Sequence, residues 1–101
     1  MVWDLRGALL KKQETETARL VDFEFRLRVR AMRALADALG MEAEPLVRAV
    51  VRHGDAPILA ELAQRTGLEP GVIAERHAAC RAEARAALIR EMGDPSPHRL
   101  A

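Results

Sequence analysis

Apolar residues recur at helical spacing along most of the chain, and glycines and prolines divide the pattern into segments. In the segment from Ala18 to Leu39, one apolar face has spacings of 4, 3, 4 and 3, and Gly40 follows as a stop. That face consists of Phe25, Val29, Met32, Ala36 and Leu39. A second face carries Phe23, Leu27, Ala31 and Ala34. The pattern predicts a long helix with two apolar faces, of which the second is a candidate surface for a dimer or another partner.

The start of this segment also fits a strand. Apolar residues alternate with charged residues between Phe23 and Ala31, which is the period of a half-buried strand. A strand needs a partner strand, and no other segment resembles one. The helix is therefore the preferred prediction.

Three further helices are marked by a proline near the start and a glycine after the end. The first opens at Glu44-Pro45 and ends at His53-Gly54; the second, capped by Asp55, covers Ala56 to Thr66; the third opens at Glu69-Pro70 and ends near Met92. Their apolar positions are Leu46, Val47, Val50 and Val51, then Ile58, Leu59, Leu62 and Ala63, then Ile73, His77, Cys80, Ala84 and Leu88. Short connections favour antiparallel neighbours, so we predict an all-α protein, a compact four-helix bundle over residues 19–92.

The two ends of the chain carry weaker patterns. Trp3, Leu5, Leu9 and Leu10 form a short apolar patch, whereas the stretch from Lys11 to Thr17 has nothing to bury. We expect residues 1–18 to be a labile N-terminal arm, disordered when free or helical on binding. Residues 93–101 contain two prolines and should form an irregular tail.

Composition limits the classes of function. The 101 residues suit one domain, and with 2 Phe, 1 Trp and no Tyr its core must be aliphatic. The net charge of +1 lacks the basic excess of a typical nucleic-acid binder. One cysteine excludes an internal disulfide, no signal peptide is recognisable, and no apolar run is long enough for membrane insertion. We therefore expect a cytoplasmic protein.

Candidate chemistry is sparse. His77 and Cys80 lie three residues apart on one helix face, but a zinc site needs four ligands and a nucleophilic pair needs a third group to orient the base. A histidine and a thiol in an apolar stripe are more often core residues. We predict neither a metal nor a cofactor, and no enzymatic activity.

Two features leave binding functions open. Arg19, Arg26, Arg30 and Arg33 share one stripe of the long helix, which is either a solvated face or a surface for an anionic partner. The spacing of Ala63, Gly67 and Ile73 fits a helix-turn-helix. The start of its second helix would, however, present Glu69 and Glu75 to DNA phosphates. A DNA-binding protein or phage-type DNA-packaging adaptor is therefore an alternative, and so is a structural subunit of a larger complex.

Several short pieces also occur in a characteristic order. They are Trp3-Asp4-Leu5-Arg6, an Arg-rich helix ending Ala38-Leu39-Gly40, the run AEPLVRAVV from Ala43, Gly54-Asp55 followed by Ile58, and Gly67 to Ile73 before a long last helix. In this order and spacing the chain resembles the alphaproteobacterial ATP-synthase inhibitor family, the zeta subunit. It departs from that family in three ways. The stretch from Leu9 to Thr17 is more basic and less aromatic, the first long helix lacks a tryptophan, and the connection after Val51 is shorter.

The resemblance implies a bacterial regulatory protein that acts by protein–protein interaction. Its bundle would dock on the catalytic subunits of the F-type ATP synthase, and its arm would insert and block ATP hydrolysis. Trp3, Leu9 and Leu10 would be apolar anchors, with Asp4 and Arg6 as polar contacts. Together with the candidate anion-binding residues Arg26, Arg30 and Arg33, these form the predicted partner-binding set. A homo-oligomer through the long helix is a further expectation.

Overall fold

The computed structural model describes the backbone of residues 5–95 and the side chains of residues 15–95. This part of the chain forms α1 (Leu5–Ala38), α2 (Ala43–His53), α3 (Asp55–Thr66) and α4 (Pro70–Met92), and it contains no strand. The prediction of an all-α, four-helix protein is confirmed. The segment from Phe23 to Ala31, which also fitted a strand, is helical throughout.

The helices enclose two hydrophobic clusters. Consecutive helices pack against each other, and α1 also packs against α4. The larger cluster joins all four helices through Met32, Leu35, Ala36, Leu46, Val50, Ile58, Leu62, Ala63 and Ile73. The smaller one, here called the α1–α4 cluster, contains Phe23, Leu27, Ala31, Ala84 and Leu88. Residues of α2 thus contribute to the core only opposite the C-terminal part of α1, from Met32 onward.

This arrangement corrects the predicted faces of α1. Phe23 and Leu27 are each 1% exposed and Ala31 is fully buried, so the second face is core and the prediction of a dimer or partner surface there is wrong. The first face is buried at Met32 and Ala36 but not at Phe25, which is 50% exposed. The reason is that α4 covers the second face, whereas the first face is covered only where α2 packs on it.

Helix α1 begins well before the predicted bundle. It starts at Leu5 rather than near Ala18, so most of the predicted arm continues the helix. The residues after α4, Gly93 to Pro95, lie beside Arg19 and Asp22 in a shared cleft. Residues 5–18 of α1 therefore extend beyond the end of α4, by about 20 Å at the rise of an α-helix. That this arm orders only on a partner stays a prediction.

The connection between α3 and α4 depends on a left-handed glycine. Gly67 has φ of 73° and donates its backbone N–H to the carbonyl of Ala63 at 3.0 Å, while the Thr66 hydroxyl donates to the carbonyl of Leu62 at 2.7 Å. The turn fixes the angle at which α4 leaves α3.

A pair of glycine substitutions tests this turn. Gly67→Ala should lower the free energy of unfolding by about 1–2 kcal/mol, because a Cβ disfavours the left-handed region. Gly71→Ala should instead raise it by up to about 0.5 kcal/mol, because Gly71 lies in the first turn of α4, where alanine is the better helix former, and a Cβ there meets no atom within 4 Å. Urea denaturation of both variants gives the comparison. A destabilised Gly71→Ala would contradict the helical environment of Gly71.

Candidate protein-binding surface

An apolar ridge is exposed along α1. Val21 is 63% exposed, Phe25 is 50% exposed and Val29 is half-buried, and the three residues are spaced four apart. They are called the α1 stripe below. Phe25 and Val29 line an open cleft of about 590 Å³ between α1 and α4, together with Leu88 and the 47% exposed Met92. Half-exposed large apolar side chains around one cleft are typical of a surface that another protein covers.

The three described arginines of the predicted partner-binding set border this cleft. Each is paired with a carboxylate: Arg26 Nε lies 3.0 Å from Asp22 Oδ2, Arg30 Nη1 contacts Glu91 Oε2, and Arg33 Nη2 lies 3.5 Å from Glu44 Oε2. The structure therefore brings Arg26, Arg30 and Arg33 to one place but balances their charge. Exposed pairs of this kind are worth about 0–1 kcal/mol, so a partner can exchange them at little cost.

The other predicted contacts lie nearer the N-terminus. Trp3 and Asp4 are outside the described residues. Arg6, Leu9 and Leu10 lie on the backbone of α1, and their side chains are outside the described part. Their roles as anchors and polar contacts stay predictions. Arg19, which shares the sequence stripe of the other arginines, lines the separate cleft beside Asp22 and Met92.

A cluster of charged side chains joins three helices at Asp55. Asp55 was predicted to cap α3, but it is the first residue of that helix, follows Gly54 and forms no capping hydrogen bond. Its Oδ1 instead lies 3.5 Å from Nε of Arg28 on α1, and its Oδ2 lies 3.9 Å from Nη1 of Arg81 on α4. Arg81 also reaches Glu24 of α1, at 3.5 Å. Asp55 therefore links α1, α3 and α4, and its buried Oδ1 has no hydrogen bond.

His77 is buried in α4, and Cys80 is half-buried beside both hydrophobic clusters. His77 is 8% exposed, and its buried Nε2 has no hydrogen-bond partner. Burial lowers the pKa of His77, Asp55 nearby raises it, and Arg81 lowers it further. Burial also raises the pKa of the Cys80 thiol, with Glu83 adding to the effect. Cys80 thus favours the thiol form, which is the opposite of what a nucleophile needs.

No three His, Cys, Asp or Glu side chains in the described part are grouped to hold a metal ion. The residue types and spacings of α4 thus bring His77 and Cys80 to one helix face without the further carboxylates or thiols that zinc requires. The charged side chains around Asp55, at the junction of α1, α3 and α4, pair with one another.

The helix-turn-helix spacing corresponds to a tight corner between α3 and α4. Ala63 is 8% exposed, Ile73 is fully buried, and Gly67 lies in the turn between them. At the start of α4 the exposed side chains include the acidic Glu69 and Glu75. Their charge opposes contact with DNA phosphates, so this corner favours packing over DNA recognition.

Similarity to other proteins does not identify the chain. No model of a known protein family, no curated protein and no solved structure matches it. None of the described helices combines the length and the apolar character needed to cross a lipid bilayer.

Proposed function

We propose that this protein is a non-catalytic regulatory protein that binds another protein through α1. The observation that carries the proposal is the N-terminal half of α1, which extends beyond the end of α4. Of the described side chains from Thr15 to Asp22, every one except Glu16 is exposed, including Leu20 and Val21. A helix without tertiary packing is only marginally stable in water, so a partner that covers this helix would stabilise it.

The attachment of α1 to the bundle supports this role. Phe23 and Leu27, each 1% exposed, fix α1 against α4 immediately after the extending half. Because the helix is continuous from Leu5, the bundle sets the direction in which residues 5–18 point. A partner therefore meets an oriented helix and spends less binding energy on ordering than it would with a free peptide.

The resemblance to the zeta-subunit family supplies the partner of the proposal, the catalytic head of an F-type ATP synthase. In this proposal the arm enters a catalytic interface, with Trp3, Leu9 and Leu10 as apolar anchors and Asp4 and Arg6 as polar contacts. The bundle stays outside and prevents the arm from moving further. ATP hydrolysis stops because the interface can no longer change shape, and no bond is made or broken by this chain.

The test is an ATP-hydrolysis assay with an alphaproteobacterial F-type catalytic head. The full chain should lower the rate, and a Leu9→Glu/Leu10→Glu variant should lose most of that effect because two apolar anchors become charged. Val51→Glu, which changes a 45% exposed residue of α2, is the matched control and should inhibit like the native chain. The proposal would be contradicted if the native chain does not inhibit, or if all three proteins inhibit equally.

Capture experiments separate the alternatives. A tagged full-length chain should retain ATP-synthase catalytic subunits from membranes of the source bacterium. Retention of DNA that weakens steeply with salt would favour the DNA-binding or packaging alternative, because phosphate contacts release counterions. Retention of a different stable complex would favour a structural subunit.

A further inference from the structure

The charges beside the α1 stripe change sign at Phe25. Within four residues of it, Asp22 and Glu24 precede Phe25, whereas Arg26 and Arg28 follow it. We infer that two copies of this chain form a dimer in which the two α1 helices cross in antiparallel orientation at Phe25. The inference goes beyond the proposed function and does not depend on the ATP synthase being the partner.

The charge pattern is complementary to itself in only one orientation. Around the helix, Asp22 and Arg26 lie on one side of the stripe, and Glu24 and Arg28 lie on the other. A two-fold axis that relates two antiparallel helices places each side of one α1 against the same side of the second copy. Asp22 of one copy then lies beside Arg26 of the other, and Glu24 lies beside Arg28. A parallel pair would instead place each side of α1 against the opposite side, so that Asp22 meets Glu24 and Arg26 meets Arg28, and both contacts repel. The second copy therefore supplies opposite charges on both sides of the stripe.

The spacing of the stripe sets the crossing angle. Val21, Phe25 and Val29 form a ridge of residues four apart. Two such ridges interdigitate when helices cross at about −50°. Phe25 of each copy then packs against Val21 and Val29 of the other, which covers the most exposed apolar side chains of α1. Met92 borders the same cleft and adds apolar contact.

The position of α2 explains why the helices must cross rather than run side by side. From Met32 onward, the face of α1 that carries the stripe is covered by α2 of the same chain. A second α1 lying alongside for its full length would meet that helix. Crossing at Phe25 limits the contact to the nine residues from Val21 to Val29, and the two α1 helices diverge on either side of it.

The first test is the mass of the full-length chain in solution, measured by sedimentation and light scattering over a range of concentrations. The native chain should reach twice its monomer mass of 11.2 kDa. Phe25→Glu should raise the dissociation constant by more than about 30-fold, because it removes two aromatic contacts and buries two carboxylates in each dimer. Val51→Glu, an equally drastic change at an exposed residue of α2, should leave the dimer intact.

A charge exchange tests the antiparallel orientation. Asp22→Arg alone and Arg26→Glu alone should each weaken the dimer by about 10-fold, because each homodimer then contains two repelling pairs. An equimolar mixture of the two variants should recover dimers, now containing one copy of each. Both residues are exposed and pair with each other within one chain, so we expect the fold to be kept, which circular dichroism checks.

Four results would overturn the inference: a native monomer at every concentration, a dimer that survives Phe25→Glu, loss of the dimer in Val51→Glu as well, and a mixture of charge variants that stays monomeric. Inhibition of ATP hydrolysis by a monomeric Phe25→Glu chain would leave the proposed function standing without the dimer. A native dimer that does not bind the ATP synthase would support the dimer and contradict the proposed function.

Discussion

Replacing Phe23 with Ala should lower the free energy of unfolding by about 3–5 kcal/mol, the usual range for removing a buried phenylalanine. Phe23 is 1% exposed at the centre of the α1–α4 cluster, and the Arg85 guanidinium lies 5.7 Å from its ring centroid. A domain of this size is stable by only about 5–15 kcal/mol in total. The variant should therefore unfold at a much lower denaturant concentration, which circular dichroism in urea measures.

Phe25→Ala is the matched control because it removes the same side chain two residues away. Phe25 is 50% exposed, so its loss should change the free energy of unfolding by less than about 1 kcal/mol when measured on the monomer. The low protein concentration that keeps the chain monomeric also separates this effect from dimerisation. Similar losses in the two variants would contradict the orientation of α1.

The difference in exposure between Phe23 and Phe25 also shows what the spacing of apolar residues predicts and what it does not. Apolar residues at spacings of 3 and 4 correctly predicted a helix, but two faces had that spacing. The choice between them depends on α4 and α2, which pack on α1 from far along the chain. On α1, the buried core residues that cluster with α2 are Met32, Leu35 and Ala36, so Phe25 stays exposed.

Glycines in the sequence predicted the ends of the helices, whereas the sequence did not predict which charged side chains form ion pairs. Glycines follow α2, α3 and α4 at positions 54, 67 and 93, as their sequence neighbours predicted. The role of Asp55 could not be predicted from its neighbours, because Gly54 and Pro57 suggest a cap while its actual partners, Arg28 and Arg81, lie on other helices. The partners of Arg30 and Arg33, Glu91 and Glu44, were missed for the same reason.

Acid should destabilise the native protein through His77. Burial lowers the pKa of this imidazole below its ordinary value of 6.5, while Asp55 on α3 raises it and Arg81 on α4 lowers it. Arg28 and Glu24 of α1 complete the charges around the same junction. As the pH falls through 6.5, the unfolded chain therefore binds a proton at His77 before the folded chain does. By linkage, the stability that is present above pH 6.5 is lost as the pH falls toward the lowered folded pKa.

Urea denaturation at pH 7.5 and pH 5.5 measures this loss. Both pH values lie above the ordinary pKa of carboxylates, about 4, so carboxylates contribute less to the difference than they would in stronger acid. His77→Leu should remove most of the difference between the two pH values, because leucine keeps the buried volume and binds no proton. His53→Gln, at an exposed position of α2, should keep the native difference. A native protein that is equally stable at both pH values, or a His77→Leu variant with the full native difference, would show that the imidazole is not the group that responds. If His77 does respond, acid weakens the junction at which Asp55 joins α1, α3 and α4, and with it the support that holds α1 in its direction.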